Sequence, residues 1–234
     1  MFQLSIMRFV RQPTAIDIVN IEEHEQTENK KHGDLLPNTI RAVLAGPSNC
    51  GKTTALFSLI TSEYGLCFEN IYVYSKSLNQ LKYRYLAEVF KGLKEIGFYT
   101  YCNNEEILPP NEVKKNSIFV FDDVSCDRQN MIKEYFSRGR HNQTDCFYLC
   151  QSYSQIPKHL IRDNCNFLIL FKQDDLNLRN IYKSHVNTDM SFEKFRNLCS
   201  ECWKDGEHNF LVIDKDSRMD SGRYRKGFNE FAIP

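Results

Sequence analysis

The sequence has no excess of charge. Thirty Lys and Arg balance thirty Asp and Glu over 234 residues. The chain is therefore no polycation, and any contact with nucleic acid must come from a local patch. No apolar run is long enough to span a bilayer. The stretch MFQLSIMRFVRQ, broken by Arg8 and Arg11, lacks the apolar centre of a secretory signal. Nine cysteines are present, but scattered and odd in number, which argues against a closed disulfide framework. There is no internal repeat. With 41% hydrophobic and 26% charged residues, what remains is an ordinary chain, long enough for one α/β domain. The expectation is a soluble, intracellular protein with reduced thiols.

Residues 1–37 read as an irregular lead-in, because IEEHEQTENKKHGD is polar, mixed in charge and without apolar period. Strands are expected at 39–45, 71–75, 98–101, 117–123, 146–151, 167–171 and 210–214. Helices are expected from Lys52, from Ser77 to Ile96, near 127–138 and near 191–203. The second of these should bury Leu78, Leu81, Tyr85, Leu86, Val89, Phe90 and Leu93, which recur at helical spacing. SIFVFDD is apolar on both faces, as a central parallel strand is. Alternating strands and helices predict an open, mostly parallel α/β sheet over residues 38–214 with helices on both faces. Ligands in such folds sit at the carboxyl ends of the strands. A polar, basic tail is expected over 215–234.

GPSNCGKTT, residues Gly46, Pro47, Ser48, Asn49, Cys50, Gly51, Lys52, Thr53 and Thr54, fits G-x-x-x-x-G-K-[ST] between a strand and a helix. Glycines let successive amides turn inward onto phosphate oxygens, and the helix amino terminus adds positive charge. Lys52 is expected to reach the β and γ phosphates, and Thr53 to offer its hydroxyl to Mg²⁺. Asp122 and Asp123 close the apolar strand. A carboxylate at such a tip needs a cation, so Asp122 is expected to partner the metal through water. Asp123 is then expected to orient or deprotonate the attacking water. Gln151 ends a third strand, where an amide can touch the γ-phosphate or simply begin a loop. Two strands separate the P-loop from the acidic pair in sequence. That leaves room for a strand inserted between them in the sheet, whereas nucleotide kinases usually set the two side by side.

Arg138, Arg140, Arg162 and Arg179 are candidates to neutralise transition-state charge. Arg140 and Arg179 are the ones that could face a neighbouring subunit's nucleotide. Each also reads as a solvated or salt-bridged arginine. The tail segment KDSRMDSGRYRK, and Arg138, Arg140 and His141, are two basic spots able to touch phosphates or water. Cys199-x-x-Cys202 with His208 and His185 is an irregular zinc set without a second C-x-x-C; packing beside Trp203 on a helix is the plainer reading.

In their order, GPSNCGKTT, FVFDDV, FSRGRHN, YLCQSYSQIPKHLIRDNCN and LILFKQDDLNLRNIY resemble the genome-packaging ATPases of poxviruses, other large DNA viruses, virophages and Polinton/Maverick elements. These belong to the FtsK–HerA superfamily of P-loop motors. The resemblance implies a RecA-like, additional-strand P-loop fold and Mg²⁺-dependent ATP hydrolysis. It further implies a homo-oligomeric ring that drives double-stranded DNA into a capsid, with a capsid or portal protein as partner. Such a protein would work in host cytoplasm or nucleus at capsid assembly sites, or travel with the virion. Carried over by position, Lys52 and Thr53 are the P-loop residues, Asp122 and Asp123 the acidic pair, Gln151 the sensor, and Arg140 or Arg179 the arginine acting in trans. The superfamily often has Glu where this chain has Asp123, one methylene shorter. Two rival classes remain: a P-loop nucleoside or nucleotide kinase, and a nucleotide-dependent scaffold without processive movement.

Overall fold

Short runs of β-branched and aromatic residues become the strands, and the glycine loop and polar segments become the turns between them. The computed structural model describes residues 30–233 except 94, 104–105, 125–127 and 205. The expectations for Arg8, Arg11 and most of the lead-in thus lie outside the described residues. The strands are β1 (Arg41–Ala45), β2 (Asn70–Ser75), β3 (Gly97–Tyr101), β4 (Ser117–Asp122), β5 (Thr144–Cys150), β6 (Phe167–Leu170), β7 (Leu211–Asp214), β8 (Tyr224–Lys226) and β9 (Glu230–Ala232). The helices are α1 (Lys52–Thr61), α2 (Leu81–Lys91), α3 (Asn130–Arg138), α4 (Asp175–Ile181) and α5 (Phe192–Trp203).

The nine strands of the described residues form one sheet in the order β3-β2-β4-β5-β1-β6-β7-β8-β9. The pairs from β3 through β6 are parallel, and β7, β8 and β9 add on antiparallel. Every residue of β2, β4, β5 and β6 is buried, as strands covered on both faces must be. Alternation along β1 divides the core. Ala42 and Leu44 face α1 and α2, together with Ile71, Val73, Ile118 and Val120. Val43 and Ala45 face α3, α4 and α5, together with Tyr72, Phe119, Phe121 and Tyr148. Helices on both faces of a mostly parallel sheet are therefore present. One strand, β5, stands between β1 and β4, so the inserted strand is real, though it comes from later in the sequence than the two strands that made room for it.

Three expectations change. First, α2 starts at Leu81, not Ser77, and ends at Lys91, with Gly92 following. Its buried face is Tyr83, Leu86 and Phe90. Leu81 and Tyr85 point to solvent, 80% and 63% exposed. Leu86 and Phe90 are buried as expected, and Tyr83 joins them in place of Leu81 and Tyr85, its hydroxyl on the buried Asp122 carboxylate. Second, the C-terminal segment is no tail. Tyr224 and Arg225 are buried in β8. Three of its basic residues have internal acceptors: Arg225 Nη2 lies 2.6 Å from Asp214 Oδ2, Arg223 Nε 2.5 Å from Asp189 Oδ2, and Lys215 Nζ donates to the Cys165 carbonyl at 3.0 Å. Counting charges could not reveal these partners, and they leave Lys215, Arg223 and Arg225 poorly placed to grip DNA. Third, the end of the lead-in is docked. His32 is buried, and its Nε2 and the Lys31 ammonium meet one Asp145 oxygen at 3.0 and 2.6 Å, at the start of β5.

Cys199 and Cys202 lie on the buried side of α5, and the Trp203 indole donates to the Leu170 carbonyl at 2.9 Å. Burial pushes the Cys202 thiol up to about 11. Among the described residues, no group of three or more His, Cys, Asp or Glu is placed to share a metal ion. None of their helices is long and apolar enough to cross a membrane.

Candidate active site

The site grows from the carboxyl ends of β1, β4 and β5. After Ala45 the chain must turn sharply, and the Gly46 amide donates to the Cys150 carbonyl at 3.2 Å. A Cβ on Gly46 would meet Phe171 Cβ at 2.6 Å and Cys50 Sγ at 2.7 Å, so only glycine fits. Gly51 has φ 102°, in the left-handed region that glycine takes freely. These two glycines lift the loop over the start of α1. No side chain caps α1, so no side-chain acceptor competes for the amides of its first turn.

Lys52 is the first residue of α1. Its ammonium folds back along the loop and donates to the carbonyls of Gly46 at 2.7 Å and Pro47 at 2.8 Å. Cys50 turns its side chain inward, where burial raises the thiol pKa against the pull of Lys52. His208 joins from the loop before β7, its Nδ1 3.1 Å from the Cys50 carbonyl oxygen.

Asp122, the last residue of β4, is 6% exposed. A buried carboxylate needs compensation, and two side chains of α2 give it. Lys82 Nζ lies 2.9 Å from Asp122 Oδ2, and the Tyr83 hydroxyl donates to the same oxygen. Burial first, and then the Asp122 charge, push the Tyr83 phenol far above its ordinary pKa, so it stays a donor. The same Lys82 ammonium donates to Thr53 Oγ1 at 3.0 Å. One cation thus joins the P-loop hydroxyl to the β4 carboxylate. Asp123 leaves the strand with φ 58° and accepts a hydrogen bond from Ser77 Oγ at 3.3 Å.

Asn49, Gly51, Lys52, Thr53, Asp122, Asp123 and Gln151 line a single cleft of about 400 Å³, with Ser48, Thr54 and His208. The P-loop, the acidic pair and Gln151 are therefore brought together. Arg140 and Arg179 are not. Arg140 precedes β5 and lines a depression with Thr39 and Thr144 at the opposite end of the central strands. Strands of five to seven residues set that end roughly 20 Å from the cleft. Arg179 is held by Asp175 at 2.7 Å and lies over the Phe192 ring.

The sequence reading did not place Lys82, Tyr83 or His208 at this cleft. The first two were hidden because the expected apolar face of α2 turned Leu81 and Tyr85 inward and left out Tyr83. His208 was read only as a member of an irregular zinc set, because only the antiparallel direction of β7 puts its leading loop at the same end of the sheet as the P-loop. The donor set suits a hard divalent ion: a hydroxyl and a carboxylate, both oxygen, already share one cation. Thr53, and Asp122 directly or through water, are the residues that would hold Mg²⁺.

A family model described as Poxvirus A32 protein matches residues 27–198. The DNA packaging protein OPG160 of Monkeypox virus is 25% identical over 194 residues, covering 77% of this chain and 64% of that protein. The chain thus spans less than two thirds of the relative it matches. The genome packaging NTPase B204 from Sulfolobus turreted icosahedral virus 2, in complex with sulfate, superposes with a TM-score of 0.54 at 14% identity, over 77% of this chain and 93% of that one. The complex of the same NTPase with AMP gives a TM-score of 0.52 at 13% identity, over 76% and 93%. At these identities the likeness is one of fold.

Proposed function

The chain belongs to the Poxvirus A32 protein family, and on that premise we propose that it is a P-loop ATPase that packages a viral or virus-like genome, coupling Mg-ATP hydrolysis to movement of double-stranded DNA. The observation that carries this is the single cleft where Lys52, Thr53, Asp122, Asp123 and Gln151 meet. The packaging role of the Monkeypox relative and of B204, as their names describe them, supports the choice of substrate and partner.

In this reading the 46–54 loop wraps the triphosphate with its amides, and Lys52 exchanges its loop carbonyls for the β and γ phosphates. When bound, Mg²⁺ draws negative charge from those phosphates. Asp123 orients the attacking water and takes its proton, and Gln151 holds the same water or the γ-phosphate. Little covalent chemistry is asked of the protein; positioning and charge supply the rate. Among the described residues, no arginine of the cleft's own chain lines it. Arg140 or Arg179 is offered to a neighbour's nucleotide in a ring of FtsK–HerA type, where a trans arginine is worth roughly 10³–10⁵ in rate. A capsid or portal protein is the expected docking partner.

The insertion of β5 between β1 and β4 supports a motor over a nucleotide kinase. The test is ATP turnover by the purified chain against duplex DNA of increasing length, at fixed nucleotide. A motor turns over faster on long duplex than on short. A kinase ignores DNA and phosphorylates a nucleoside. A scaffold binds ATP and stays slow whatever is added.

A further inference from the structure

Lys82 occupies a place that its sequence position gives no reason to expect. Its ammonium is 3.0 Å from Thr53 Oγ1 and 2.9 Å from Asp122 Oδ2. Those are the two side chains that would hold the divalent ion if the cleft is the Mg-ATP site, and the inference rests on that reading. Magnesium needs oxygen ligands at about 2.1 Å. An ion seated against Thr53 would therefore fall in nearly the volume the ammonium now fills. Two cations a few ångströms apart in a half-buried site repel strongly. The ammonium and the metal cannot share these oxygens.

Lys82 is also free to leave. Its side chain is 32% exposed, against 9% for Asp122. It sits in the first turn of α2, beyond Gln80, which is extended and makes no side-chain cap. The carboxylate keeps a partner when the lysine goes, because Tyr83 donates to the same oxygen. In the seat the ammonium also stands over the Tyr83 ring, 4.9 Å from its centre, a third contact that the incoming ion must displace.

We propose that Lys82 is a built-in competitor for the divalent metal. Its ammonium cross-links Thr53 and Asp122, and Mg-nucleotide binding proceeds by exchange of that ammonium for the ion. The exchange makes metal affinity lower than the oxygen donors alone would give. It also ties loading of the site to displacement of the start of α2, whose next residue outward, Leu81, is 80% exposed. Lys82 is a positioning residue here, acting through the two metal-holding side chains.

The experiment titrates Mg²⁺ into the full chain with a fixed, subsaturating amount of a fluorescent non-hydrolysable ATP analogue. Wild type is compared with Lys82→Met, which keeps the stem and removes the charge. Removing the competitor should lower the Mg²⁺ concentration at half-saturation by at least about tenfold. A second measurement does not depend on nucleotide: Mn²⁺ binding to each protein alone, followed by electron paramagnetic resonance, should be tighter in Lys82→Met. Thermal melts identify a variant that has lost its fold; in that case Lys82→Gln replaces it in both titrations. Unchanged or weaker metal binding in a folded variant overturns the inference while leaving the Mg-ATP reading intact, since Lys82 would then be a phosphate ligand or a structural pair. Wild type that binds the analogue at no Mg²⁺ concentration overturns both.

Discussion

Arg225 and Asp214 form an ion pair in which both side chains are almost wholly buried, with Nη2 and Oδ2 2.6 Å apart. The same guanidinium donates from Nε to the Gly222 carbonyl and from Nη1 to the Leu35 carbonyl. It therefore ties the segment before β1 to the last strands of the sheet. Removing one partner of such a pair leaves an uncompensated buried charge, which costs about 3–5 kcal/mol. Asp214→Asn should lower stability by about that amount in urea unfolding. Replacing both residues, as Arg225→Met with Asp214→Leu, should cost clearly less. Equal losses in the single and double variants would count against a charge penalty.

Asp122 gives a second test of buried charge. Tyr83→Phe removes a hydrogen bond to a carboxylate and leaves the ring, so the expected loss is about 1.5–3 kcal/mol. Lys82 still holds the same oxygen, so the fold should survive. Urea unfolding of the variant reads the loss directly. A change within experimental error would mean that the hydroxyl does not support Asp122.

His185 should set part of the acid sensitivity. Its Nε2 lies 2.6 Å from the Tyr153 hydroxyl. Burial, with the charges of Lys215, Arg162 and Arg223, drives its pKa down to about 3. The unfolded chain takes up this proton near pH 6.5. Above that pH both states are neutral and the contribution is complete. As pH falls from 6.5 toward 3, only the unfolded state is protonated, and stability drops at up to about 1.4 kcal/mol per pH unit. His185→Gln should therefore lose about 2–3 kcal/mol less than wild type between pH 7 and pH 4.5. Parallel pH profiles would show that His185 is protonated in the fold.

Shared sites across a ring predict rescue. Subunits lacking whichever of Arg140 and Arg179 acts in trans should be inactive alone, as should Lys52→Ala subunits. Mixing an arginine variant with Lys52→Ala should restore partial ATP turnover for the arginine that acts in trans, because some interfaces then pair an intact P-loop with an intact arginine. Intact oligomers that show no rescue at any mixing ratio would remove both arginines from the site.

Much of the site was legible because its chemistry is local. GPSNCGKTT carries its own strand, turn and helix, and Asp122 and Asp123 end a strand whose apolar run fixes its depth. What stayed hidden depends on contacts between distant segments. Lys82 and Tyr83 are ordinary helix residues until β4 places a carboxylate beside them. The basic residues of 215–226 read as a solvated stripe until Asp189 and Asp214 are seen across from them. His208 required the direction of β7, which no periodicity gives. Strand order was the other gap: β5 enters between β1 and β4 although it follows both in sequence.

The grip on the triphosphate is tested most directly by equilibrium binding of Mg-ATP to the purified full chain, wild type beside Lys52→Ala, with circular dichroism to show that both are folded. One ATP per wild-type chain and binding weaker by roughly 100-fold in the variant are expected, since hydrogen bonds to charged groups are each worth about 1.5–3 kcal/mol. Equal affinity in the two proteins, or a folded wild type that takes up no ATP, would contradict it.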